Sequence, residues 1–438
     1  MAQFDKSVFQ YSGKKYKFIA YLTSDYEMEN SNNLKYCLDN NAIELFEFSN
    51  GFNDLWLTGS IIYTDVYGKL DKLLNLQYSF CRIYFAQATT KTDNMIQISE
   101  FSEVNKIDHV FFITNVEILD RQKTEIKYKI NLVSAHIFCC LSNILYSNYN
   151  DQNSINIFDI LKTCIIKAGL RVNSESFDNI TTTRTLKYIT NGNDNLTSIV
   201  KYLLNKLYQP HNDDDSVKFL FYNVLHDNFE LFDLKNINQN NGMYEVILSM
   251  FKTNLESLSQ VEESRLATKT TYSKIDTLKN LFNLVTWNYD YNDGQFNQGK
   301  VDSKTISKYM NATYNNSEYV DKILPVPETF EMFKHITEWN NDIGIYHETT
   351  DSLCNCNSLV VNTNVGINCK PGSFLNISID RSIKEIVGDS YKNLEDIQTR
   401  YKAFEGFWVV HKIRHIISPA SMSYRQNILA MRNYSIKM

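Results

Sequence analysis

Glycine and proline are scarce in this chain, 14 and 5 among 438 residues. That excludes a collagen-like repeat and argues against linker-rich or disordered organisation. Charge of one sign is also lacking. Against 44 Lys and Arg stand 50 Asp and Glu, for a net charge of -6, so no basic field exists to hold nucleic acid by counterion release. No run of about 18 apolar residues occurs. The nearest, 130–146, is interrupted by Asn131, His136 and Asn143. The first residues lack the charged-then-apolar pattern of a leader. The expectation is a soluble protein made in a cytoplasm, without stable membrane insertion. No Gly-rich phosphate loop, His-Glu-x-x-His or Gly-x-Ser-x-Gly is present, so neither an enzyme nor a cofactor or metal protein is expected. The eight cysteines have no framework spacing and sit among apolar neighbours, which reads as reduced, buried thiols. The six Asn-x-Ser/Thr sequons, Asn179, Asn311 and Asn376 among them, read as chance matches in an Asn-rich chain.

Aromatics are plentiful, 28 Tyr and 26 Phe, and 43% of the residues are hydrophobic. At this length two to four structural units with real cores are expected. Period-2 alternation dominates the first 150 residues: Lys14–Leu22, Ile43–Phe48, Leu55–Leu70, Gln77–Phe85, His109–Leu119 and Ile126–His136 read as short strands of one barrel or sandwich. Between 151 and 210 the period becomes 3.6. Ile157, Ile160, Leu161, Cys164, Ile165 and Ala168 form one helical stripe, with Ser154 as N-cap and Gly169 beyond its end. Leu196, Ile199, Val200, Leu203, Leu204 and Leu207 form a second, capped by Asp194 or Asn195. Both stripes read as packing faces.

Residues 217–234 form an aromatic hairpin turning at Asp227 and Asn228, while 241–345 shows no clear period and is Asn-rich from 289 to 318. Strands resume after Asp351, with a Pro371-Gly372 turn leading into Phe374–Ile379. Gly406 opens a final hairpin. Phe407, Val409, His411, Ile413 and His415 alternate with Trp408, Val410, Lys412 and Arg414, and after the turn formers at 418–423 the chain returns from Tyr424.

Candidate chemical groups are few. His411 and His415 are four residues apart, which on a strand is about 13 Å, too far to share a metal. Cys354 and Cys356 would share one strand face about 7 Å apart, with no second Cys/His pair near in sequence. Asp213, Asp214 and Asp215 lack the spacing and glycine of a calcium loop and read as a solvated turn. Ser373 is not in a nucleophile elbow. Carboxylate pairs for glycoside hydrolysis depend on spatial separation, and nothing singles out two of the acidic residues. Trp56, Trp287, Trp339 and Trp408 suit buried or interface roles better than sugar stacking.

Three stretches carry a family resemblance. They are Leu57-x-Gly59-Ser60-Ile61-Ile62-Tyr63-x-Asp65-x-x-Gly68-x-Leu70, then Phe111-Phe112-Ile113-x-x-Val116, then Tyr128 to Ala135. In that order they resemble the first tube-type barrel of phage baseplate and tail hub proteins, a family related to the hub part of type VI secretion spikes. The hairpin at 217–234 resembles the opening of that family's second barrel. The Pro371-Gly372 turn and the terminal hairpin, from Gly406 through Tyr424-x-Gln426-x-Ile428-x-Ala430-Met431, resemble its completion. The resemblance implies a mainly β protein with α+β insertions: a tube-like barrel over 1–150, a helical insertion over 151–210, the second barrel's opening hairpin over 211–240, a second insertion over 241–345, and the rest of the second barrel over 346–438.

It further implies a structural virion protein that forms a homotrimer. Three copies of two barrels make a ring of six, adapting a hexameric tail tube to a trimeric central spike and lining a DNA channel without reading sequence. The implied partners are tail tube or tube-initiator proteins, the central spike, and baseplate wedge or sheath proteins. A tail-tip enzyme, such as a peptidoglycan hydrolase, or a carbohydrate-binding adhesin is the alternative. The missing catalytic signature and missing fibrous repeat count against it.

Overall fold

The computed structural model describes residues 7–11, 14–24, 35–66, 68, 70, 79–88, 105–147, 155–179, 185–186, 188–190, 192–207, 218–233, 243–249, 263–272, 283–290, 295–301, 331–336, 357–379 and 406–431. The first unit holds β1 (Val8–Tyr11), β2 (Lys14–Thr23), β3 (Lys35–Cys37), β4 (Ile43–Gly51), β5 (Thr58–Asp65), β6 (Phe80–Gln87), β7 (Asn105–Arg121) and β8 (Ile126–Ser134). A mixed segment follows: α1 (Ile137–Leu141), β9 (Ile155–Asn156), α2 (Ile157–Lys167), α3 (Ser174–Asp178), β10 (Thr185–Leu186) and α4 (Leu196–Leu207). Then come β11 (Lys218–Asn223), β12 (Asn228–Asp233), β13 (Met243–Ser249), β14 (Glu263–Tyr272), β15 (Asn283–Asp290), β16 (Gln295–Val301), β17 (Glu331–Ile336), β18 (Asn357–Thr363), β19 (Phe374–Ile379), β20 (Gly406–Ser418) and β21 (Ser423–Met431). The fold is mainly β.

Backbone pairing arranges these strands in two rings that share their last hairpin. In the first, β1-β2-β6-β7-β8-β5-β4-β20 are consecutive neighbours, and β21 lies beside β20. The remaining seam, between β21 and β1, is bridged by side chains: Arg425 Nε donates to Tyr11 Oη at 3.3 Å, and Tyr16 of β2, stacked on Phe9 of β1, packs edge-on against Tyr424. In the second, β20-β19-β13-β14-β18-β21 pair in turn and β21 returns to β20, closing a ring of six. Met243–Ser249 and Glu263–Tyr272 lie within the stretch that sequence reads as an insertion, yet they supply two strands of this ring. The sequence of β13 shows no clean alternation because the strand is flanked by parallel neighbours, and such strands read as mixed apolar runs. β16-β15-β17 form a small sheet of their own.

A bulge lets one hairpin serve two cores. Strict alternation would put Val409, His411 and Ile413 on one face. Instead the β20–β21 register shifts between Val410 and Lys412, leaving His411 as the extra residue. Trp408 and Val410 therefore join Ile413, Ile428 and Ala430 in the second ring's core, while Ile417 and Tyr424 enter the core of the first. In that first core, alternate residues of β2, Tyr16, Phe18, Ala20 and Leu22, are fully buried among Phe46, Phe85 and Phe111.

The helical stripes fall as the periodicity predicts, with one corrected cap. Asn156, not Ser154, caps α2: its Oδ1 accepts from Phe158 N at 2.8 Å. The reason is geometric, since the short β9 runs directly into the helix and Asn156 is its last extended residue; Ser154 itself lies outside the described residues. Gly169, at φ 82°, follows the helix end. Asn195 Oδ1 accepts from Ser198 N at 3.0 Å at the start of α4. Ile160, Leu161, Cys164 and Ile165 of α2 and Leu196, Ile199 and Leu203 of α4 are buried in the first ring's core.

The β11–β12 hairpin is a separate two-stranded sheet among the described residues. Sequence reads it as the opening of the second barrel. Every residue of β11 is buried, and the end of β4 with the loop after it meets the edge that a ladder with the ring would need. Asn53 N donates to Leu220 O and Asn50 Nδ2 to Tyr222 O, both at 2.7 Å. Phe52 stacks on Phe219 and Phe232, and Lys370 meets the buried Glu230 at 2.6 Å. Side chains and loops thus hold the hairpin against both rings.

Candidate functional site: a polar sheet face

Among the described residues, those singled out from sequence do not assemble into a reactive centre. His415 is buried, stacks on Phe48 with ring centroids 4.4 Å apart, and its Nδ1 pairs with Tyr424 Oη at 2.8 Å. Burial lowers its pKa to about 3. His411, the bulged residue, lies near Phe52 and Phe219, with its pKa lowered to about 4 chiefly by desolvation. The two histidines thus serve different surroundings. Ser373 is fully buried in the turn before β19, where its Oγ accepts from Lys370 N. Trp408 is core and Trp56 packs against the first core. Asp213–Asp215, Cys354, Cys356, Trp339 and the side chain of Trp287 lie outside the described residues. Among the described residues no three His, Cys, Asp or Glu side chains group as metal ligands, and no helix is long and apolar enough to cross a membrane.

The feature sequence reasoning missed is a largely polar face made by outward residues of the first ring and of the hairpin both rings share, ending on Val360 and Leu429 where it reaches β18. Cross-strand registry lines up Asn131 of β8, Ser60 of β5 and Glu47 of β4. Alternate positions place Lys412 and Arg414 of β20 beside Leu429 and Asn427 of β21, and Leu429 opposite Val360 of β18. These residues line a shallow cleft of about 470 Å³, with Ser49, Thr58 and Lys129. Inward neighbours such as Phe46, Phe48 and Ile61 are core, so the period-2 pattern that builds the barrels also builds this face.

Its charges come in pairs. Arg414 bonds Glu47, which also accepts from Ser60 Oγ at 3.2 Å. Lys412 Nζ meets Asp54 at 2.9 Å, and Lys127 meets Glu44. Glu117 sits opposite Lys129 in the β7–β8 ladder and accepts from Asn131 at 2.7 Å. The bond to Lys127 holds the Glu44 carboxyl below its ordinary pKa. Arg414, Lys412 and Lys127 thus each bond a carboxylate, and Lys129 faces Glu117 across the ladder, which leaves a hydrophilic surface with little net field. Only the outward polar residues were legible in sequence; Glu47 and Arg414 are 367 positions apart, and pairing between them needs the β4–β20 ladder.

No protein-family model and no curated protein matches the chain. Solved structures do. The chain is similar to a tail protein from Neisseria meningitidis MC58, at 8% identity and a TM-score of 0.49 over 95% of this chain and 96% of that one. It is similar to the 43 kDa tail protein of prophage MuSo2 from Shewanella oneidensis, at 7% identity and a TM-score of 0.48 over 95% and 97%. It is also similar to an E. coli type VI secretion component described as resembling the T4 bacteriophage tail proteins gp27 and gp5, at 10% identity and a TM-score of 0.40 over 89% and 73%.

Proposed function

We propose that this chain is a structural virion protein, the central hub of a phage tail or baseplate, acting by shape and not by catalysis. Three copies, each with two strand rings, form a pseudo-sixfold ring between a hexameric tail tube and a trimeric central spike, with wedge or sheath proteins outside. The observation that carries this reading is the largely polar, charge-paired face running from the first ring onto the hairpin that both rings share. Two rings joined by a shared hairpin suit equivalent positions around a six-part circle, three chains supplying six. A hydrophilic strip on which Arg414, Lys412 and Lys127 already bond carboxylates suits a channel wall, since it lets a polyanion pass without retaining it.

Light scattering on the purified protein, alone and with its candidate spike partner, tests the assembly. A mass near three chains, alone or only with the partner, is the expected result. A persistent monomer that binds intact cells would overturn it in favour of an adhesin.

A further inference from the structure

Where β7, β8, α1 and the β11–β12 hairpin meet, the structure buries a chain of polar side chains that the polar face does not use. Ser134, His109 and His136 are buried, as is Tyr222. Ser134 Oγ and His109 Nε2 are 2.6 Å apart, His109 Nδ1 and Tyr222 Oη 3.4 Å, and Tyr222 Oη donates to Asp227 in the hairpin turn. Asp227 holds this position at φ 50°, in the left-handed region. The His136 ring lies 4.3 Å from Tyr222, and its Nε2 donates to Leu55 O at 2.7 Å.

The partners fix the protons. Tyr222 gives its one proton to Asp227, so it accepts from His109 Nδ1–H, and His109 Nε2 accepts from Ser134. Ser134 Oγ in turn accepts from Leu57 N at 3.3 Å. His136 spends its proton on Leu55 O, and its Nδ1 has no hydrogen-bond partner among the described residues. Both rings are therefore neutral in a network that has a place for each proton present and none for another. A proton added to His109 Nε2 reverses the Ser134 bond; one added to His136 Nδ1 leaves a buried donor unmet.

We propose that this network is a proton-sensitive latch, which holds the β11–β12 hairpin on the first ring while both histidines are neutral and releases it in acid. The other groups facing it do not change this sense. Asp227 attracts charge toward His136 but is already bonded to Tyr222 and lies 4.0 Å from Arg171, itself on the surface. Cys140 on α1 stays a thiol, its pKa pushed up to about 12 by burial. On β12, Phe229 offers only its ring, and Glu230 is engaged by Lys370. Burial, with His136 adding to it, lowers the His109 pKa to about 3, and desolvation lowers that of His136 as well. A group whose pKa is lower in the closed state favours closure above its free value, about 6.5, and loses that contribution as pH falls toward the closed value.

Hydrogen exchange of the full chain, corrected for intrinsic rates, tests the latch. Between pH 7 and pH 5 the protection of residues 218–233 should fall about 25-fold from His109 alone, and the same fall should persist in His415→Gln, because release of the hairpin leaves His415 buried against Phe48 and Tyr424. His109→Asn, neutral at every pH and still able to donate to Tyr222, should remove that factor. A smaller fall at 218–233 in His415→Gln, or an undiminished fall in His109→Asn, would overturn the proposal. If His109→Asn fails to fold, the His415→Gln protein decides.

Discussion

The bond between Lys370 and Glu230 joins the β11–β12 hairpin to the turn before β19, and it sets a measurable cost for separating them. Glu230 is 6% exposed at its side chain and Lys370 22%. The carboxylate also accepts from Asn223 Nδ2 at 2.7 Å and Asn173 Nδ2 at 3.3 Å, and Lys370 Nζ lies 5.9 Å from the centre of the Phe221 ring. Removing one partner of a buried ion pair costs about 3–5 kcal/mol. The two Asn donors remain, which lowers the expected cost of Lys370→Met to about 2–3 kcal/mol. Glu230→Gln in that background removes the stranded charge while keeping an acceptor for Asn223, so the double variant should recover at least about 1 kcal/mol. Urea denaturation of the four proteins in the cycle measures this, with exchange at 218–233 as a local readout. A Lys370→Met protein within about 0.5 kcal/mol of the parent, or strictly additive losses, would refute the clamp.

Gly372→Ala places a Cβ 2.8 Å from the Phe232 ring at a backbone φ of 83°, so strain and overpacking together should cost roughly 2–4 kcal/mol in the same denaturation assay. His415 is neutral in the core with its pKa near 3; its contribution to stability is complete above about pH 6.5 and falls by about 3 kcal/mol by pH 4. A His415→Gln protein should therefore lose less stability over that interval, as urea midpoints at the two pH values would show. Glu47→Gln with Asp54→Asn frees Arg414 and Lys412 on the polar face. Double-stranded DNA should then bind in a salt-sensitive manner that the unaltered protein does not show, and a gel-shift series over salt concentration checks it.

Alternation over β2, β4, β5 and β8 marks both strand and buried face, so much of the fold is legible in the residues themselves. The parts that escaped share a physical cause. A bulge at His411 is one residue long, and a histidine fits either phase of the alternation. β11 is buried on both faces, so its aromatics announce a strand without saying what covers it. The pattern places Lys412 and Arg414 outward, but their carboxylates arrive from β4 and the loop after it, more than 350 residues earlier. Likewise the His109–Tyr222 contact spans 113 positions and leaves no local signal.

The shared hairpin also imposes a schedule on synthesis. β4 finds its second neighbour in β20, so the first ring stays open until residues near 431 have left the ribosome. At about 5–20 residues per second that interval is roughly 20–80 s. Throughout it the β4 edge offers unpaired backbone to any other nascent chain, which makes yield depend on chaperones and on the rate at which the last strands arrive.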